Sequence, residues 1–314
     1  MLSRRHLRVK VMQAIYAFLQ GDNNDLAKGE KELLKGVNKI YDLYIYILLL
    51  LPELVDFGKA RIDERKQKRI PNPEDLNPNT RFVDNPLLAK LSNNNALRRE
   101  AEVRKLSWAD EPELIKKIYN SIVDSEEYAA YMSNEDKSYA VEQKFVQSVF
   151  KKYVATEERL HSLFEDKSIY WVDDLEFINS MVVKTLGTIG ENAGNDAPLL
   201  PLLKDDEDRR FMLDLFHKTI IHEKEYDDLI KPKLQNWEME RVAFMDVLLM
   251  KMAISEFLNF PSVPTKVSMN EYIEISKDYS TPQSKLFING ILDKILIDFK
   301  REDKIQKSGR GLME

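Results

Sequence analysis

Lys251-Met252-Ala253-Ile254-Ser255-Glu256-Phe257-Leu258, Pro261-Ser262-Val263-Pro264, Asn270-Glu271 and Phe287-Ile288-Asn289-Gly290-Ile291-Leu292-Asp293-Lys294 follow one another in residues 236–294, a stretch that opens on Asn236-Trp237 and Arg241. The pattern is helical. Ile288, Ile291/Leu292, Ile295 and Phe299 recur on one side of a 3.6-residue period. Pro261 and Pro264 bias their predecessors away from helix and impose an extended connector. Ser268 with Glu271 reads as a capping box for the next helix, and Thr281-Pro282 as the opening of the last. Four helices are expected, over about 205–234, 238–259, from 268 and from 281.

Outward from this stretch the rest of the chain reads the same way. Leu7, Val11, Ile15 and Leu19 predict a helix over 3–20, with Ser3 as N-cap and Gly21 as its stop. A second helix is expected over roughly 26–65, with Pro52 as its weak point. Pro71, Pro73, Pro78 and Pro86 mark an irregular connection, after which helical patterns resume to about residue 186. Gly187, Gly190, Gly194, Pro198 and Pro201 then mark a domain junction; no Gly-Lys-Ser/Thr follows, so they are not a phosphate loop. With no strand pattern, the expected fold class is all-α. A shift of 66 residues aligns Phe145 with Phe211, Phe150 with Phe216, Glu157 with Glu223 and Trp171 with Trp237. That echo suggests one helix pair used twice, without a second Phe-Ile-Asn-Gly, although two amphipathic helices also match by chance.

Composition narrows the function. The 314 residues contain no cysteine, which excludes disulfides and thiolate-bound metal. The longest apolar run, Leu43 to Leu51, is too short for a bilayer and no secretory leader is evident, so a cytoplasmic protein is expected. The net charge is −6, yet Arg4, Arg5, Arg8 and Lys10 crowd the start and Lys300, Arg301, Lys304, Lys307 and Arg310 the end. A basic patch on an acidic protein is one reading of this distribution; solvated, frayed termini are the other. Enzyme signals are poor. His217 and His222 fall on different faces of a helix, and no nucleophile turn or metal motif is present. No catalytic residue, metal or cofactor is expected.

In the last helix Gln283, Phe287, Gly290 and Lys294 fall to one side of the apolar stripe. An aromatic ring beside a bare glycine suits stacking on an unpaired base, with glycine admitting a close backbone. Packing against a neighbouring helix is the alternative. Trp237 and Arg241 read as architectural, and Glu256, inside a hydrophobic helix, as internally paired.

The order Arg4-Arg5-His6-Leu7-Arg8, Met12-Gln13-Ala14-Ile15-Tyr16, then the 236–294 stretch, resembles the NusB family of bacterial transcription antitermination factors. The resemblance covers the first twenty residues and about 205–300. It implies an N-terminal helix (1–21) and a C-terminal part (201–314) of one NusB-like domain, split by a helical insertion at 22–200. It further implies a non-enzymatic, all-helical protein that binds boxA-like RNA together with ribosomal protein NusE in the transcription elongation complex. Carried over residue by residue, Arg4, Arg5, His6, Arg8, Gln283, Lys285 and Phe287 would face RNA, and Tyr16 and Asp246 would face NusE. His6 and Gln283 depart from residue types common at these places, which bears on the RNA's identity. RNA cytosine methyltransferases also carry NusB-like domains, but no glycine-rich cofactor loop appears here. The remaining alternative is a protein–protein adaptor that kept the fold and lost RNA binding.

Overall fold

The computed structural model describes residues 1–21, 25–234 and 239–312. Among these residues it is helical, with no β-strand. The chain forms two compact units, one of residues 1–37 with 203–314 and the other of residues 38–202. One boundary falls between Leu202 and Leu203; the other lies inside a helix.

In the first unit α1 (Arg4–Gln20) starts on a reciprocal cap: the Ser3 side chain accepts from His6 N–H, and the His6 ring accepts from Ser3 N–H. The helix α2 (Leu26–Lys66) runs unbroken through Pro52, its expected weak point. An interior proline costs a helix about 3 kcal/mol. Leu48, Leu50, Leu51, Leu54 and Val55 around it are all buried, and this packing outweighs the lost hydrogen bond.

The C-terminal part of this unit comprises α11 (Asp206–Ile221), α12 (Glu223–Ile230), α13 (Phe244–Asn259), α14 (Thr265–Tyr279) and α15 (Ser284–Arg301). The single helix expected over 205–234 is divided at His222. α13 is the axis. Every residue from Leu248 to Phe257 is buried, polar Lys251, Ser255 and Glu256 included, and α1, α11, α12, α14 and α15 all pack on it. α14 begins at Thr265, directly after Pro264, so Ser268 and Glu271 lie inside the helix rather than capping it. Both side chains instead serve the charged site described below. Beyond α15, Ser308 N–H donates to Pro261 O at 3.0 Å, and a Cβ on Gly311 would lie 1.9 Å from that carbonyl. Only glycine fits there. Lys307, whose burial lowers its pKa to about 8, donates to the carbonyls of Glu256 and Phe260 at the end of α13. Trp237 and Asn236, singled out above, lie outside the described residues.

In the unit of residues 38–202 the rest of α2 packs with α3 (Pro73–Leu76), α4 (Pro86–Ser92), α5 (Asn95–Arg104), α6 (Pro112–Val123), α7 (Glu126–Ser133), α8 (Tyr139–Val149), α9 (Glu158–Lys167) and α10 (Leu175–Thr188). The proline-rich connection contains the one-turn α3, capped by Asn72. Tyr46 stacks on Trp108 at 4.2 Å, with Phe164 and Trp171 against them. The indole N–H groups of Trp108 and Trp171 donate to Tyr46 O and Lys39 O, whereas the buried Tyr46 hydroxyl has no hydrogen-bond partner. The 66-residue offset sets α8 and α9 against α11 and α12, and Phe145, Phe150, Phe211 and Phe216 are all buried.

The start of α2 supplies a sharp test of packing in the first unit. A Cβ on Gly29 would lie 2.7 Å from Phe216 Cζ and 2.8 Å from Phe18 Cδ2. Gly29→Ala should therefore destabilise the protein by about 1–3 kcal/mol despite alanine's better helix propensity. Thermal melting of the two proteins checks this; an unchanged or higher midpoint contradicts the packing.

Candidate nucleic-acid interface

Four side chains at the start of α1 meet the C-terminal helices in different ways. Arg8, only 2% exposed, donates from Nε to Glu256 at 2.9 Å and makes a second bond to its other oxygen. Glu256, fully buried, also accepts from Ser268 Oγ at 2.6 Å and Tyr272 Oη at 2.9 Å. Burial disfavours the Arg8 charge, but the bond and charge of Glu256 more than offset it and hold the guanidinium above its ordinary pKa. Burial, reinforced by the Glu256 charge, pushes the Tyr272 phenol well up. Arg8 therefore braces α1 against α13 and α14. Its side chain does not face solvent, which departs from the RNA-facing place that the resemblance implies for Arg8.

Arg5 and Arg4 lie outside this pair. Exposed Arg5 makes a two-pronged contact with Glu271, both bonds 2.9 Å. Arg4 donates to Asp208 at 2.7 Å, and its guanidinium lies 4.4 Å from the centre of the Phe211 ring. The hydrogen bond from Arg5, with the charges of Arg8 and Arg5, holds the Glu271 carboxyl below its ordinary range. His6 is half-buried; burial and the charges of Lys10 and Arg5 lower its pKa. Arg4, Arg5 and His6 line an open cleft of about 1400 Å³, with Lys204 and the Ser262-Val263-Pro264 connector on its other sides. Lys204 and the connector were not singled out in the sequence reading. Lys204 sits in a loop beside an acidic run, and no local pattern ties it to α1.

Gln283, Phe287 and Asp246 come together elsewhere. With Arg241 to Ala243, Thr281 and Ser284 they line a smaller, mainly apolar cleft of about 310 Å³ between the starts of α13 and α15. Phe287 is half-buried; Lys285 and Gln283 are exposed. A Cβ on Gly290 would meet nothing within 4 Å, so this glycine is not a helix crossing and leaves open space beside Phe287. Asp246 is buried and accepts from Ser280 Oγ at 2.5 Å and Ser284 Oγ at 2.8 Å, tying α13 to the turn before α15. Tyr16, 43% exposed, meets Phe244 edge-on at 5.4 Å. Phe244 is itself 40% exposed, and the two rings form an apolar surface beside the cleft that sequence periodicity did not reveal.

The two clusters do not coincide. α1 runs antiparallel to α13, with Arg8 at Glu256 and Tyr16 at Phe244. The step from Asp246 to Glu256 along α13 is roughly 15 Å at 1.5 Å per residue. At about 3.4 Å per stacked nucleotide, one strand of some five nucleotides matches that distance. Among the described residues no His/Asp/Glu cluster could hold a metal ion, and no helix is long and apolar enough to cross a membrane.

Comparison with known proteins narrows the class of this all-helical core with a basic first helix. The model of the NusB family matches residues 180–296, from within α10 into α15. A transcription antitermination protein NusB of Salinibacter ruber is 44% identical over 114 residues, which are 36% of this chain and 71% of that protein. Proteins of the same name from Chloroherpeton thalassium and Koribacter versatilis are 40% and 39% identical over 113 and 100 residues. Those alignments take in 36% and 32% of this chain, and 54% and 68% of the relatives. No solved structure matches significantly. The chain belongs to the NusB family.

Two outcomes follow from the charged network. Glu256→Gln leaves the Arg8 guanidinium buried beside a neutral partner and should cost about 3–5 kcal/mol in denaturant unfolding. Arg8→Met with Glu256→Leu should recover much of that loss; a single variant as stable as the parent would remove the pair from its central place. The Arg5–Glu271 pair sets a pH dependence. Because the folded-state pKa of Glu271 is depressed, its stabilisation is present above the ordinary glutamate range and is lost as pH falls through the folded value. The stability gap between the parent and Arg5→Gln should therefore close on acidification, as measured by urea unfolding from neutral to acidic pH.

Proposed function

We propose that this protein is a non-enzymatic transcription antitermination factor that binds a boxA-like RNA together with ribosomal protein NusE, in the cytoplasm, as part of an elongation complex. The observation that carries the reading is the placing of Arg4, Arg5 and His6 at an open cleft of the unit that contains most of the family match. The ion pair of Arg5 is no obstacle. Arg4 and Arg5 are each partly exposed, and the Arg5–Glu271 pair at the surface is worth only about 0–1 kcal/mol, so a phosphate can compete with Glu271 for Arg5; Arg4 is held more firmly, because its partner Asp208 is buried. Phe287, with open space beside it at Gly290, is the base-stacking position. Gln283 and Lys285 flank it at the helix start. Arg8 contributes by holding α1 in place, not by touching RNA.

In this reading the NusE surface is the exposed pair Tyr16–Phe244. Asp246 acts behind it by fixing the start of α15 through Ser280 and Ser284. A second reading, an adaptor without RNA binding, is favoured by one observation: Arg4, Arg5 and Arg8 each already face a carboxylate.

Titration of a labelled boxA-like RNA across a range of salt separates the two. Arg4→Gln with Arg5→Gln should weaken binding and reduce the steepness of its salt dependence by about 0.7 per lost contact. Absence of RNA binding by the parent, with and without NusE, would leave the adaptor reading. Phe287→Ala should lose about 1–3 kcal/mol of RNA binding with its melting temperature nearly unchanged; a collapse in stability would assign the ring to packing. Tyr16→Ala should reduce NusE binding in a pull-down while RNA binding alone persists; undiminished capture would remove Tyr16 from that surface.

A further inference from the structure

The carboxy-terminal end of α2 carries the densest cationic run of the chain outside its termini. Residues 59–69 read Lys-Ala-Arg-Ile-Asp-Glu-Arg-Lys-Gln-Lys-Arg, with six cations against two carboxylates, in the unit of residues 38–202. All six cationic residues are exposed. Lys68 is held by Asp75 at 2.9 Å, an anchor that fixes the segment after the helix, and Arg61 shares its charge with Glu64. Lys59 lies 3.9 Å from Asp56. Arg65, Lys66 and Arg69 form no ion pair among the described residues.

The shape of this end is specific. Gly58, Arg61 and Arg65 are spaced i, i+3 and i+7 and share one face. A Cβ on Gly58 would lie 2.9 Å from Tyr119 Cε2, so the bare glycine makes room for the half-buried tyrosine ring against the helix. Phe57 meets Tyr119 edge-on at 5.1 Å, and Phe82 meets Tyr128 at 5.7 Å, which holds both phenols in place. Burial pushes both phenols up, while the fields of Arg65 and Arg61 at Tyr119, and of Arg65 at Tyr128, pull them down. Arginines one turn apart thus border two fixed aromatic rings.

We propose that Arg61, Arg65, Lys66 and Arg69, with Tyr119 beside them, bind the phosphate backbone of single-stranded RNA without sequence preference, as a second RNA contact carried by the added unit. These exposed cations at and just beyond the end of a helix, of which Arg61 alone shares its charge with a carboxylate, gain from releasing the counterions condensed on a polyanion, a gain that scattered protein carboxylates do not offer. Planar guanidiniums suit phosphate geometry, and a neighbouring ring accepts any base. A membrane surface fits less well, because a membrane-bound helix lays an apolar face on the bilayer. Here Ile70, 86% exposed, is the one large apolar side chain standing out from 59–70. This contact requires neither α1 nor Phe287.

The test uses the full chain and a labelled 20-nucleotide oligouridine, which presents phosphates without a boxA sequence. Fluorescence anisotropy is followed from low to moderate salt for the parent and for Arg61→Gln/Arg65→Gln/Lys66→Gln/Arg69→Gln. The variant should bind at least about tenfold more weakly, with a salt slope lower by about 2–3, near 0.7 per phosphate lost. Arg61→Lys with Arg65→Lys should keep the parent's slope, whereas Arg4→Gln with Arg5→Gln should leave the α2 contribution in place. The altered side chains are exposed, and matching melting curves confirm that the comparison is between folded proteins. Equal affinity and slope in the quadruple variant overturn the proposal. So does failure of the parent to bind oligouridine, or tighter binding of a polyglutamate peptide than of the RNA at equal length.

Discussion

The buried pair of Arg8 and Glu256 is the contact on which the rest of the family-related unit depends. Taking two charges out of water costs several kcal/mol each, and such a pair persists only where every lone pair and proton is satisfied. Here Glu256 takes two bonds from Arg8, one from Ser268 and one from Tyr272, while the guanidinium lies near the rings of Phe211 and Tyr272. The backbone carbonyl of Glu256 also receives Lys307 from the tail beyond α15. One residue of α13 thus gathers α1, α14 and the end of the chain. Misplacing any of them would leave a buried charge exposed to an apolar interior, so the arrangement specifies the assembly more than it stabilises it.

That constraint shapes what the surface can do. Of the arginines at the amino terminus, Arg8 is turned inward to hold the helix, and Arg4 and Arg5 remain at the cleft, each paired with a carboxylate. Fixing α1 by Arg8 also fixes where Tyr16 emerges, beside Phe244 at the opposite end of α13. The two clusters are therefore held at a set separation by a rigid helix. A ligand that engages both has to be extended.

The second unit solves a similar problem with different elements. Arg81 pairs with Glu142, whose carboxylate also takes Tyr131 and Asn85, and the guanidinium donates to Tyr131 O at 2.7 Å. Arginine, glutamate and tyrosine recur as a buried trio. In the first unit they come from α1, α13 and α14; here Arg81 stands in a loop and its partners lie on α8 and α7. In both units the trio joins segments far apart in sequence. Hydrophobic burial alone, being non-directional, would not set their register.

Helix class and most helix positions were legible in the sequence, because apolar residues at a 3.6-residue period and proline or glycine stops are local signals. α1, α13 and α15 lie near where those signals put them. Local signals misled where tertiary packing outweighed them. Pro52 does not break α2, because the apolar side chains around it are buried. Ser268 and Glu271 look like a cap but face Arg8, Arg5 and Glu256, since Pro264 starts the helix a turn earlier. The basic start of the chain was visible, yet helical spacing could not say which arginine turns inward. By itself the sequence determined an all-helical protein of the NusB family with cations at its amino terminus and Phe287 beside Gly290. Only the tertiary structure decided that Arg8 is a brace, that Asp246 lies beneath the surface, and that Phe244 joins Tyr16. The reason is physical: a periodic pattern records which face of a helix is buried, whereas the partner of a buried charge comes from a segment hundreds of residues away.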